Sequence, residues 1–187
     1  IIKTVGVNKF TINGLNSGGN ALTVSNTNPT APLAIHIASS GTTVVSNINI
    51  SNITTATGLN TGTTVSSMGV SISDQASGGV TAGYFNNVTI QNNTFTKSHY
   101  GALVSGGTTG VNNALNVNIL NNNLTSSGVD AIGYCGIALQ GVNGATIANN
   151  TIGNFEGTAG VDDRGIWLAA GSKNVVVEKN SIISRKY

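Results

Sequence analysis

Charge is the scarcest ingredient of this sequence. Only 7% of its 187 residues are Asp, Glu, Lys or Arg, and 8 cations against 6 acids leave a net charge of +2. A typical soluble domain is about one quarter charged, so solubility here rests on Asn, Ser, Thr and Gly. A charge this small and scattered excludes a nucleic-acid partner, which needs a concentrated basic patch. The single cysteine excludes an internal disulfide framework. No apolar run approaches the roughly 18 residues of a transmembrane helix, which excludes a membrane span of that kind. Helical periodicity is absent over any useful length, and Gly, Asn and β-branched residues disfavour it. The chain opens on IIKTVGVNKF, with neither an initiator Met nor a signal peptide, and stops at SIISRKY directly after an apolar segment. It is therefore expected to be a piece of a larger or processed chain.

What the sequence holds in quantity is glycine, 25 residues, and asparagine, 27. Much of that asparagine sits in a repeat. NVTIQNNTF (87–95), NVNILNNNL (116–124), GATIANNTI (144–152) and NVVVEKNSI (174–182) align without gaps. Their central aliphatics Ile90, Ile119, Ile147 and Val177 are 29, 28 and 30 residues apart. Val88, Val117, Ala145 and Val175 stand two places earlier, and Phe95, Leu124, Ile152 and Ile182 five places later. Alternation of apolar and polar residues predicts strands, and their recurrence predicts stacked coils. A second strand set agrees: GVSI (69–72), GALV (101–104), GIAL (136–139) and GIWL (165–168). Upstream, Phe10/Ile12/Leu15 and Ile48/Ile50/Ile53 share a spacing of 38 residues, so residues 1–44 are expected to form irregular first coils or a cap and 45–184 the regular coils of one domain.

Stacking at about 4.8 Å turns each recurring position into a ladder of like side chains. The three aliphatic columns are then the core. Asn93, Asn122, Asn150 and Asn180 become a turn ladder, suited to a residue that tolerates left-handed geometry. Dividing 187 by the period predicts about six coils and a body roughly 30 Å long. These segments, each paired with a GIxL strand, resemble the right-handed parallel β-helix repeats of the pectin-lyase-like superfamily. The resemblance implies an all-β solenoid. It also implies one of several functions, since that fold hosts lyases, hydrolases, tailspikes and adhesins.

Coil-length differences place the loops. Residues 125–135 and 153–164 extend one corner of adjacent coils, and 73–86 and 105–116 extend another, the latter nearly free of charge. The first corner collects much of the scarce chemistry: Asp130 and Tyr134, then Glu156, Asp162, Asp163 and Arg164, with Lys97, His99 and Tyr100 from the preceding coil. Such a set suits a polar groove for a sugar or for Ca²⁺, which takes hard oxygen ligands; the alternative is a pair of solvated loops in which Asp163 and Arg164 brace a turn. In GIWL, Ile166 and Leu168 point inward, so Trp167 points outward beside Ala138 and Leu103 and calls for a cover: a saccharide, an adjoining module or one of the chain's own loops.

Other residues carry less. Cys135 reads as a small buried thiol, His36 as the outward polar member of a strand, and Met68 as filler. The NxT sequons at Asn52, Asn87, Asn92, Asn123 and Asn149 are explained by ladder chemistry. An outward Thr rank for ice is broken, since Thr89, Asn118, Thr146 and Val176 share that column. A lyase needs a cation or arginine and a base; Lys97, His99, Tyr100 and Arg164 are its candidates, yet the acid ladder on the binding sheet of calcium-dependent lyases is missing. Asp162-Asp163 is similar to the paired aspartates of polygalacturonase-type hydrolases, but no Gly-His-Gly follows. The expectation is thus a non-enzymatic segment of a secreted or cell-surface protein, a rigid stalk or adhesin module that binds carbohydrate or neighbouring modules; the alternative is a polysaccharide lyase or glycoside hydrolase acting on acidic glycans.

Overall fold

Runs in which β-branched and aliphatic residues alternate with polar ones all become strands. The computed structural model describes residues 1–16, 19–20, 22–30, 32–60, 67–76, 79–108, 111, 113–155 and 162–183. Three parallel sheets of six strands each wind into an all-β solenoid of about five turns, slightly fewer than length divided by period suggests. The early coils are longer: Ile48 pairs with Phe10 and with Val88, 38 and 40 residues away, whereas Val88, Val117, Ala145 and Val175 pair at 29, 28 and 30.

Each rung contributes one strand to each sheet. Sheet 1 stacks Ile2–Val5, Leu33–Ser39, Met68–Asp74, Tyr100–Ser105, Cys135–Gln140 and Arg164–Leu168. Sheet 2 stacks Phe10–Asn13, Val45–Ser51, Phe85–Gln91, Ala114–Leu120, Val142–Ala148 and Lys173–Glu178. Sheet 3 stacks Leu22–Ser25, Ile53–Leu59, Thr94–Ser98, Asn123–Leu124, Thr151–Gly153 and Ser181–Ile183. The aliphatic columns of all three converge in one buried core that includes Ile90, Ile119, Ile147, Phe95, Leu124 and Ile152. Leu15 departs from its expected place. It pairs with Asn20 in a short antiparallel hairpin and is exposed, while Leu22 takes the position beside Ile53.

Two corner devices explain the composition. Between sheets 2 and 3 the last four coils turn through two residues, and Asn52 alone makes the turn after Ser51. The first or only residue of the turn, Asn52, Asn92, Asn121, Asn149 or Lys179, has φ between 54° and 57°, the left-handed region that asparagine tolerates best among residues with a side chain. In the two-residue turns the second residue forms the buried ladder. Asn93 Nδ2 donates to Asn122 Oδ1 at 3.0 Å, Asn122 to Asn150 at 2.9 Å and Asn150 to Asn180 at 2.9 Å. The same amides donate to the carbonyls of Ile50, Ile90 and Ile119 in the preceding coil. The ladder therefore lies one residue after the left-handed column, not in it. Where sheet 3 passes to sheet 1, Gly69, Gly101, Gly136 and Gly165 face inward; a Cβ there would strike Phe95, Leu124, Ile152 or Ile182 respectively.

The sixth rung is built like the others but less covered. Val177 and Ile182, in register with Ile147 and Ile152, are 45% and 53% exposed because no described strand stacks on theirs.

Candidate functional site

The outer face of sheet 1 carries a second apolar cluster. Met68, Tyr100, Leu103, Cys135 and Ala138 are buried there, with Leu33 and Tyr134 packed against them. Loop residues provide the cover. Ser71 Oγ donates to the Gly79 carbonyl at 2.6 Å and Ser105 Oγ to the Val80 carbonyl at 2.9 Å, pinning the 79–84 segment across the sheet. On the other side, His99 alone joins the strands Thr94–Ser98 and Tyr100–Ser105. The 128–134 loop crosses this short corner: Asn60 Nδ2 donates to the Ala131 carbonyl at 2.9 Å, and Gly133 N donates to the Ser98 carbonyl at 2.8 Å.

That crossing sets Tyr134 against its neighbours. Its ring meets the Tyr100 ring edge-on at 5.3 Å and the His99 ring at 6.4 Å. The Arg164 guanidinium lies 4.9 Å from the Tyr134 ring centre and 4.7 Å from that of Trp167, a cation held between two π faces. Trp167 pairs in register with Ala138, which pairs with Leu103, and the indole is 37% exposed. Asp162 approaches Arg164 at 3.9 Å, and its own side chain is 91% exposed. The structure thus joins Tyr100, His99, Tyr134, Arg164 and Trp167 in one stack, with Asp162 at its rim.

Asp130 sits on an exposed 3₁₀ turn, Gly128–Asp130, with no side-chain hydrogen bond or ion pair among the described residues. Asp163 is exposed, Lys97 is half-buried with φ 47°, and Glu156 lies outside the described residues. Of the soft donors, Met68 and Cys135 flank Tyr100 in one column of sheet 1. His36 sits on the same face, three rungs from Cys135. It is buried beside Ser73 Oγ at 2.9 Å and the Asp74 carbonyl at 3.0 Å. Burial lowers the His36 pKa and pushes the Cys135 thiol up to about 12. Burial also raises the Tyr100 phenol well above its ordinary range, helped by the nearby Cys135 and opposed by Arg164.

The sequence model of a family described as periplasmic copper-binding protein (NosD) matches residues 13–187. The chain belongs to the NosD family. That family is one of parallel β-helices within the pectin-lyase-like superfamily, which agrees with the aliphatic and asparagine columns. No curated protein and no solved structure matches the chain. Among the described residues of this NosD-family chain, no helix is long and apolar enough to cross a membrane.

Sequence reasoning passed over one feature of this chain, a notch of about 310 Å³ in the outer face of sheet 2 whose lining includes Asn116, Asn118, Gly144, Thr146, Asn174 and Val176. The signal that could have found it is Gly144, which opens its repeat where the three aligned segments begin with Asn87, Asn116 and Asn174.

Proposed function

We propose that this NosD-family chain is a non-enzymatic β-helical module working outside the cytoplasmic membrane, a rigid stalk or adhesin-like support that binds saccharide at the Tyr134–Arg164–Trp167 stack. One observation carries the reading: Arg164 rests on Trp167 at an outer face where the indole is still accessible. An indole face accepts the C–H face of a pyranose, and a guanidinium beside it donates to sugar hydroxyls or to a uronate carboxylate. Asp162 holds Arg164 through one long, exposed contact, which a ligand carboxylate can displace at little cost.

Catalysis is less well supported by the same geometry. A β-eliminating base must exchange its proton near neutral pH, whereas Tyr100 is buried with a raised pKa and His99 is buried behind Tyr134. Copper does not fit the described residues either. Copper sites draw on Cys, His and Met, and this chain has 1, 2 and 1 of them. Met68 and Cys135 are two strand spacings apart, roughly 10 Å, with Tyr100 between them. Burial pushes the Cys135 thiol up to about 12, so little thiolate is present there to meet a metal ion. No three His, Cys, Asp or Glu side chains gather for any metal ion, calcium included, among the described residues.

The test is a glycan-array screen with and without Ca²⁺, followed by an unsaturated-product absorbance assay on every hit. We expect binding without product, weakened at least about tenfold by Trp167→Ala, a loss of about 1.4 kcal/mol. Unchanged binding by that variant overturns the platform, and accumulating product overturns the non-enzymatic reading in favour of a lyase.

A further inference from the structure

The column Lys9, Asn47, Asn87, Asn116, Gly144 and Asn174 runs the length of sheet 2, every member with positive φ. Where asparagine occupies it, side chains reach along the axis: Asn87 Nδ2 donates to Asn47 Oδ1 at 3.2 Å, Asn116 Nδ2 to Asn86 Oδ1 at 3.0 Å, and Asn174 Nδ2 to Asn143 Oδ1 at 2.7 Å. Gly144 breaks the column between Asn116 and Asn174, and the missing side chain opens the notch. The chemistry around the gap is unspent. The Asn118 amide and the Thr146 hydroxyl have no hydrogen-bond partner among the described residues, and the Oδ1 atoms of Asn116 and Asn174 accept none. Val176, 51% exposed, adds an apolar patch at one side. No ionisable side chain lines the notch.

We propose that this notch is a second binding site, for an uncharged polyhydroxylated ligand such as one neutral sugar residue. Two amide oxygens, a whole carboxamide and a hydroxyl offer both acceptors and donors, matching a ring of hydroxyls, each of which both donates and accepts. The apolar C–H face of the ring has Val176 to rest on. A charged ligand finds no counter-ion here and leaves its own hydration uncompensated. The volume lies at the small end of the roughly 300–1,000 Å³ typical of small-molecule sites, which suits one residue of a chain that continues along the open face. The site rests on different residues from the Tyr134–Arg164–Trp167 stack and stands or falls without it.

The test is an amide-detected NMR titration of the whole chain with glucose, N-acetylglucosamine and cellobiose, with galacturonate as the charged control. We expect the neutral sugars to shift the side-chain amide signals of Asn116, Asn118 and Asn174. Gly144→Asn should weaken that binding at least about tenfold, because asparagine tolerates a φ of +79°, its Cβ meets nothing nearer than Asn116 Oδ1 at 3.6 Å, and its amide fills the gap. Asn118→Ala should weaken binding with the notch left open, and Trp167→Ala should leave these shifts unchanged. The proposal is overturned if neutral sugars move none of the three signals, if Gly144→Asn folds and binds as before, or if galacturonate produces the same shifts. Retention of acidic-glycan binding by Gly144→Asn separates this site from the stack.

Discussion

Sheets 1 and 2 are built alike, six parallel strands in register around one core, yet their outer faces have opposite fates. On sheet 1 the outward Ser71, Leu103, Ala138 and His36 are buried. On sheet 2 the outward Thr89, Asn118 and Thr146 are half-exposed and Val176 is exposed. Strand sequence follows this difference; corner length produces it. Most rungs of sheet 1 are entered or left through loops long enough to fold back over it, as the 128–134 and 79–84 segments do, although His99 alone and Gly141 alone make two of its corners. From the Val45–Ser51 strand onward, sheet 2 passes to sheet 3 through one or two residues, which have no length to spare. In a solenoid, a face stays open where its corner is tight.

The deepest way to break that contrast is to remove the tight corner. Asn122→Ala deletes an amide that donates to Asn150 Oδ1 and the Ile90 carbonyl and accepts from the Asn93 backbone N–H and side chain. Leaving those groups buried and unpaired should cost about 3 kcal/mol, measured as a fall in the urea midpoint with an unchanged slope.

Uncovering sheet 1 should cost less. Tyr134→Ala removes the ring that packs on Tyr100 and His99, for a loss of about 2 kcal/mol. It should also speed alkylation of Cys135, whose thiol is protected by burial and a pKa near 12. A rate equal to that of the unsubstituted chain would show that something other than Tyr134 shields the thiol.

The smallest effect is one of pH. Burial holds the His36 pKa below 6.5; Lys3 adds to the lowering, while the Asp74 carbonyl and carboxylate oppose it. The unfolded state therefore takes up the proton first as pH falls. The His36 contribution to stability is complete above pH 6.5 and is lost as the pH drops toward the folded value. Thermal melts at pH 7.5 and 5 should differ in the unsubstituted chain, and His36→Gln should remove the part of that difference which His36 supplies.

The core of this architecture is legible from the sequence because stacking copies each inward position once per coil. Ile90, Ile119, Ile147 and Val177 announce a strand, its register and its neighbours at once. The Gly101 and Gly136 column is legible for the same reason, since each must clear the side chain facing it in sheet 3. Leu15 is misleading because a hairpin is inserted before sheet 3 begins, so spacing alone assigns its place to the wrong residue. Tyr134 is brought to Arg164 and Trp167, both on the Arg164–Leu168 strand, by the path of the 128–134 loop, but loop paths have no period, and nothing in the spacing separates Asp130 from that group. Nor does hydrophobic pattern reveal the notch at Gly144, where the signal is a missing side chain in a column of polar ones.

The buried asparagine ladder has one more consequence, for ionic strength. The contact of Arg164 with Asp162 spans 3.9 Å and is largely exposed on the Asp162 side. Oriented amide dipoles, repeated rung after rung, perform the cohesive work that charged networks perform elsewhere, and they act over contact distances far shorter than the roughly 10 Å over which salt screens charges at 0.1 M. A body held together this way keeps its shape as external salt rises or falls.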